Sequence, residues 1–138
     1  MESLSKILFI TARADLGGGP KHLADLIREL KKESPQTEIY VAAPDQKPFY
    51  DLYKSEALEI IQIPPQSFSV RGLMTLIKLV RSKKIPIVHS HGRGAGLYSR
   101  LIFPFCKVVH TFHGIHRTPG IKGKIKVWLD RCLKYFTH

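Results

Sequence analysis

Three consecutive glycines, Gly17-Gly18-Gly19, lie between a short apolar run and a segment with helical periodicity. Glycine lets the backbone approach a ligand closely, and the helix that follows offers unpaired N–H groups and the positive end of its dipole. This combination suits a phosphate group. The dinucleotide fingerprint G-x-G-x-x-G is not matched, because His22 occupies the position of its third glycine. Asp45, which follows the second apolar run, keeps a nicotinamide-binding module open as an alternative.

Histidines form the second group of residues that could carry chemistry. A neutral imidazole both donates and accepts hydrogen bonds, which suits sugar hydroxyls, and an imidazolium suits phosphate. No carboxylate or cysteine lies close enough in sequence to complete a zinc set, and the spacing differs from H-E-x-x-H, so no metal site is predicted. His91 and His113 each precede a glycine at the end of an apolar run, whereas His89 and His110 are expected inside strands. The five histidines of this span are His89, His91, His110, His113 and His116.

The elements that must position these residues follow from the alternation of strand-length apolar runs with helix-period segments. This pattern predicts one α/β domain, a doubly wound parallel sheet with helices on both faces. The predicted strands are Lys6–Thr11, Glu38–Ala43, Leu58–Ile63, Ile85–His91 and Lys107–Phe112. The predicted helices contain Leu23–Leu30, Pro48–Glu56, Leu73–Lys84, Gly94–Phe103 and Ile121–Phe136.

Chain order predicts where the site lies. With the common strand order 3-2-1-4-5, the switch point falls between strands one and four, and ligands bind beyond the carboxyl ends of those strands. Gly17–Gly19, His91–Gly94 and His113-Gly114 all follow strands at that edge. We therefore expect the glycine turn and two imidazoles to share one cleft.

Charge and composition limit the classes of partner. The 138 residues carry 22 Lys plus Arg against 11 Asp plus Glu, a net charge of +11, which implies an anionic partner. Two cysteines exclude a disulfide scaffold, and the N-terminus does not resemble a secretory signal, so a cytoplasmic location is expected. Nucleic acid is not expected, because no nucleic-acid-binding motif accompanies the charge.

The last predicted helix carries an apolar stripe that includes Ile121, Ile125 and Trp128, with lysines largely outside it. The favoured interpretation is that this stripe packs on the sheet and that the basic face is solvated. A basic amphipathic helix can also lie on an anionic membrane, and this alternative stays open.

Three motifs resemble the N-terminal domain of the family 4 (group 1) glycosyltransferases, which have the GT-B fold. They are Gly18-Gly19-x-x-His22-Leu23, the segment Ile87–Gly92 and the segment Val108–Gly114, which contains His-Thr-Phe-His-Gly. They occur in the family's order and span nearly the whole chain.

The resemblance implies retaining transfer of a sugar from a nucleotide-diphosphate donor, without a metal or other cofactor, to a sugar or lipid-linked acceptor in cell-envelope or polysaccharide assembly. It implies that Gly18 and Gly19 contact the donor diphosphate and that His113 is the catalytic residue beside the donor sugar. Further substrate contacts are expected from His22, His91, Gly92 and Gly114. The loops at Pro64–Arg71 and Arg117–Gly123 are candidates for the acceptor side.

The resemblance also implies that residues 1–138 are the acceptor-side half of a two-domain enzyme and that the donor-binding C-terminal domain is absent from this sequence. We therefore predict that this chain alone does not catalyse transfer. The alternatives are a nucleotide-binding Rossmann module and a basic domain that binds a membrane surface or nucleic acid.

Overall fold

A computed structural model describes residues 6–113 and 120–136. Five strands form one parallel sheet: β1 (Lys6–Thr11), β2 (Glu38–Ala43), β3 (Glu59–Gln62), β4 (Ile87–His91) and β5 (Lys107–Thr111). The helices are α1 (Gly18–Glu33), α2 (Phe49–Glu56), α3 (Val70–Lys83), α4 (Arg93–Ile102) and α5 (Ile121–Leu133). Short 3-10 turns follow α4 at Phe103–Phe105 and α5 at Lys134–Phe136.

The strand order is β3-β2-β1-β4-β5, all parallel, so the predicted doubly wound α/β fold and its order are confirmed. The bounds of β1 and β2 agree with the predicted ones, whereas β3 is shorter at both ends, β4 at its start and β5 at its end.

Helices cover both faces of the sheet, and successive side chains of its central strands point to opposite faces. Ile7 and Phe9 of β1 pack in a core with Leu23 and Ile27 of α1. The alternate β1 residues pack in a second core with side chains of α3 and α4. Continuous apolar runs such as KILFIT are therefore required, as parallel strands covered on both faces demand.

Strand register brings the polar ends of three strands side by side. Thr11 pairs with His91 across β1 and β4, and His91 pairs with Thr111 across β4 and β5. At the end of β4 the chain turns through Gly92, whose φ of 79° is in the region that favours glycine. This turn starts α4 directly beyond the sheet edge.

The apolar stripe of α5 differs from the favoured prediction. Ile121, Ile125 and Trp128 are 78%, 52% and 63% exposed, and Cys132 is exposed as well. The expectation that these side chains pack on the sheet is therefore wrong for the described residues. Periodicity reports that a helix has an apolar face, but it does not report what covers that face.

Candidate active site

A cavity of about 970 Å³ opens at the carboxyl edge of the sheet, over the ends of β1, β4 and β5. It contains most of the residues that the sequence singled out, so the predicted convergence at the switch point is found. Those residues are Gly18, Gly19, His22, His91, Gly92 and His113. Gly114 and the loop residues 117–119 lie outside the described residues, and Asp45 is exposed and does not line the cavity.

The N-terminus of α1 forms one wall. The first N–H groups of a helix have no intrahelical partner, and Pro20 has no N–H, so Gly18 and Gly19 provide the free donors of this turn. No acidic side chain lies in the first turn to compete for them. This end of α1 is therefore built to accept an anion.

A second helix N-terminus, that of α4, meets the same cavity through Gly92, Arg93 and Gly94. Arg13 adds its guanidinium from the loop after β1, where it forms a bidentate ion pair with Asp15 at 2.9 and 3.0 Å. That pair raises the pKa of Arg13 and lowers the pKa of Asp15. The charge of Arg13 is offset by Asp15, so the two helix dipoles are the groups that give this part of the cavity a positive potential.

A second wall is formed by a cluster of imidazoles, one of which, His22, belongs to α1 itself. Nδ1 of His91 and Nε2 of His113 lie 3.1 Å apart, within hydrogen-bond distance. The ring of His22 lies 5.8 Å from that of His91 and 5.3 Å from that of His113, measured between centroids. The ring of His89 lies 4.3 Å from that of His91 at a tilt of 34°, and its Nε2 is hydrogen-bonded to Thr111 Oγ1 at 2.8 Å.

Burial keeps two rings of this cluster, those of His89 and His91, neutral. Desolvation, helped by repulsion from the neighbouring imidazoles, lowers the pKa of His91 to about 3 and the pKa of His89 to about 4. Desolvation also lowers the pKa of His113, with a contribution from His22. At neutral pH the rings of His89 and His91 are therefore uncharged, and this wall suits hydroxyl groups rather than phosphate.

Close packing joins the two walls. A Cβ on Gly19 would lie 3.3 Å from Cδ2 of His113, so the absence of a side chain lets the helix turn and the imidazole share one space. Packing thus requires glycine at position 19, which is also a candidate ligand contact.

His110 lies within β5, as predicted, and belongs to a separate interior network. Its Nδ1 is 2.7 Å from Ser90 Oγ, which is also 2.7 Å from Ser99 Oγ of α4. Desolvation, with a smaller contribution from Arg100, lowers the pKa of His110 to about 4. This network ties β4, β5 and α4 together beneath the cavity.

Sequence reasoning missed several cavity residues. Arg13 and Arg93 follow strands at the correct edge, and the position of each just after a strand end was the available signal. Gln66 reaches the cavity from the predicted acceptor-side loop Pro64–Arg71, held by a hydrogen bond from its N–H to the carbonyl of Ala12. Among the described residues, no group of three or more His, Cys, Asp or Glu side chains is arranged to hold a metal ion.

The family model for glycosyltransferase family 4 matches residues 16–138 of this sequence. The chain belongs to glycosyltransferase family 4. The matched region contains the glycine turn and all of the cavity histidines, so the motif resemblance is confirmed at the level of the family. A comparison with curated proteins gave no match.

Solved structures that share little sequence identity with this chain support the fold. A glycosyltransferase from Rickettsia africae matches with a TM-score of 0.68 and 16% identity over 95% of this chain. The Anabaena protein HepE, crystallised in complex with UDP and glucose, matches with a TM-score of 0.63 and 19% identity over 94% of this chain. The chain spans 35% of the length of each. The common architecture is one Rossmann-like domain of a GT-B glycosyltransferase.

Proposed function

We propose that this chain is the N-terminal, acceptor-side domain of a retaining glycosyltransferase. The enzyme transfers a sugar from a nucleotide-diphosphate donor to a sugar or lipid-linked acceptor in cell-envelope or polysaccharide assembly. The observation that carries the proposal is the juxtaposition, in one cavity, of the free N–H groups of α1 with the imidazole of His113.

The positive wall fits the diphosphate. Glycosyl transfer leaves negative charge on the departing diphosphate, and fixed N–H dipoles stabilise such charge without reorganisation. Gly18 and Gly19 supply these dipoles in the proposal. The UDP and glucose bound to HepE are consistent with a nucleotide-sugar donor for this family member.

The neutral wall fits the sugar. We assign His113 as the catalytic residue, because it lies against Gly19 and faces the cavity where a sugar attached to the diphosphate would sit. His22, His91 and Gly92 complete the substrate contacts from the same cavity, and Gly114 remains a prediction from the motif.

Titration of the chain with UDP-glucose tests the donor site. Gly18 has no atom within 4 Å of an added Cβ, so Gly18→Ala preserves the fold and places a methyl group beside the anion-binding turn. The variant keeps its N–H, but the methyl group keeps a phosphate from approaching it, and the loss of that charge-assisted hydrogen bond of about 1.5–3 kcal/mol weakens binding by at least about tenfold. Gly72→Ala, in the first turn of α3 and away from the cavity, is the matched control and should bind like wild type.

Two results contradict the proposal. One is an NMR spectrum of the wild-type chain in which millimolar UDP-glucose perturbs no cavity amide; this concentration is needed because the chain spans only 35% of the length of the two solved structures. The other is equal affinity of Gly18→Ala and Gly72→Ala. We also expect no sugar transfer by this chain alone, so donor-dependent turnover would contradict its role as one half of the enzyme.

We further propose that α5 brings the enzyme to the cytoplasmic face of an anionic membrane. The exposed stripe of Ile121, Ile125 and Trp128 occupies one side of α5, and Lys122 and Lys124 flank it on opposite sides by helical spacing. An apolar strip bordered by cations is typical of a helix lying in the headgroup region. Among the described residues, no helix is long and apolar enough to cross a bilayer.

Trp128 is the only tryptophan of the chain, so its fluorescence reports directly on this helix. Vesicles containing phosphatidylglycerol should shift its emission to the blue, and pure phosphatidylcholine should not. Each lysine near an anionic surface contributes about 1 kcal/mol, so replacing Lys122 and Lys124 by Gln should weaken binding about 30-fold. Replacing Lys78 and Lys83 of α3 by Gln is the matched control. Equal losses in both double variants would contradict a specific role for α5.

A further inference from the structure

The pair formed by His91 and His113 has only two arrangements of its shared proton. Either His91 donates through Nδ1–H to Nε2 of His113, or His113 donates through Nε2–H to Nδ1 of His91. Each neutral ring carries one proton, so the choice fixes the tautomer of both rings.

The surroundings of His91 select between the two. Its side chain is 3% exposed, and among the described residues its Nε2 is buried without a hydrogen-bond partner. If His113 donated, the proton of neutral His91 would sit on that Nε2 as a buried N–H without an acceptor. Buried N–H groups without a partner are rarer in proteins than buried acceptors with a free lone pair. His91 therefore carries its proton on Nδ1.

We propose that His91 is a positioning residue that holds His113 as its Nδ1–H tautomer. Nε2 of His113 then accepts a hydrogen bond from Nδ1–H of His91. Within the described residues, this is the hydrogen bond that the His113 ring forms. Nδ1–H is left as the hydrogen-bonding group that His113 offers to a ligand.

The consequence for chemistry rests on the proposed function. His113 has no free lone pair in this state, so it enters the cavity as a hydrogen-bond donor and not as a base. It would recognise an oxygen that accepts a hydrogen bond, such as a sugar hydroxyl oxygen. Burial supports the arrangement, since desolvation and the nearby rings of His89, His22 and His113 all oppose protonation of His91.

Long-range ¹H–¹⁵N spectra of the ¹⁵N-labelled chain at pH 7.5 measure the tautomers directly. The His113 signals are assigned by their loss in His113→Phe. We expect Nδ1 of His113 at the protonated ¹⁵N position and Nε2 at the unprotonated one. The opposite pattern in the wild-type chain overturns the proposal.

Two variants of His91 separate positioning from packing. His91→Asn places an amide N–H near the position of Nδ1, so His113 should keep its tautomer. His91→Leu removes the donor, and His113 should shift toward the Nε2–H tautomer that free imidazole prefers. An unchanged His113 tautomer in folded His91→Leu overturns the role of His91. If that variant does not fold, the wild-type and His91→Asn spectra still decide.

The readout needs no ligand, so it is independent of the donor assignment. Binding is measured separately by titration with UDP-glucose. If the chain shows the expected tautomer but binds no UDP-glucose, the proposed function alone is refuted. If it binds UDP-glucose normally but shows the opposite tautomer, this inference alone is refuted.

Discussion

Mild acid should destabilise this domain, because three histidines are folded in their neutral form. Burial lowers the pKa of His91 to about 3 and the pKa values of His89 and His110 to about 4, against 6.5 for the exposed side chain. Between these values the unfolded chain binds protons that the folded chain does not. Stability is therefore fully present above pH 6.5 and declines as the pH falls toward 4.

Over most of this pH range, the change in the free energy of unfolding comes from protonation of the unfolded chain alone. At pH 5.5 protonation of one free histidine stabilises the unfolded chain by about 1.4 kcal/mol, and the folded chain gains almost nothing. Three such residues lower the free energy of unfolding by about 4 kcal/mol between pH 7.5 and pH 5.5. This is a large part of the roughly 5–15 kcal/mol that stabilises an ordinary domain.

Urea unfolding at several pH values, analysed with one m-value, measures this dependence of the free energy of unfolding on pH. His91→Leu should reduce the slope by about one third, whatever its effect on absolute stability, since one of three protons is no longer taken up. Leu79→Ala, in the core on the α3 and α4 side, should lower stability at every pH and leave the slope unchanged. A flat free energy of unfolding between pH 7.5 and 5.5 would refute the burial argument.

Two further changes probe the packing beneath the cavity. Gly96→Ala adds a Cβ 2.7 Å from Cε1 of His110, and the clash should outweigh the gain in helix propensity and cost about 1–2 kcal/mol in thermal unfolding. In a His110→Ala background the same change should be neutral or stabilising; persistence of the loss would contradict the contact. Tyr98→Phe removes the hydroxyl that accepts the Ser69 N–H at 2.8 Å and should cost about 1 kcal/mol, whereas Tyr135→Phe should be neutral.

The fold was largely predictable because its signals are local. The length and β-branched content of a run such as KILFIT favour a strand covered on both sides, and β1 begins and ends at the predicted residues. The observed bounds differ from the predicted ones at strand ends that lack such a signal. Ile85, for example, is buried in the core but precedes β4, because Pro86 follows it and cannot donate to the ladder.

The cavity was predictable in place but not in detail. Topology alone brings Gly18, His91 and His113 to one edge, since parallel strands end at the same side of a sheet. Which nitrogen of His91 meets His113, and which imidazoles are buried, depend on side-chain packing between strands far apart in sequence. Exposure of the α5 stripe was likewise not predictable, because a periodic pattern does not identify a partner.

In the proposed function, the two walls of the cavity divide the recognition of a sugar nucleotide by charge. The N-termini of α1 and α4 carry fixed positive dipoles at any pH, so anion binding there does not depend on a titrating group. His91, by contrast, is held neutral by burial, so this ring adds no positive charge that would compete with the helix ends for phosphate. In the proposed site, the helix N-termini are therefore the fixed positive groups that bind the diphosphate.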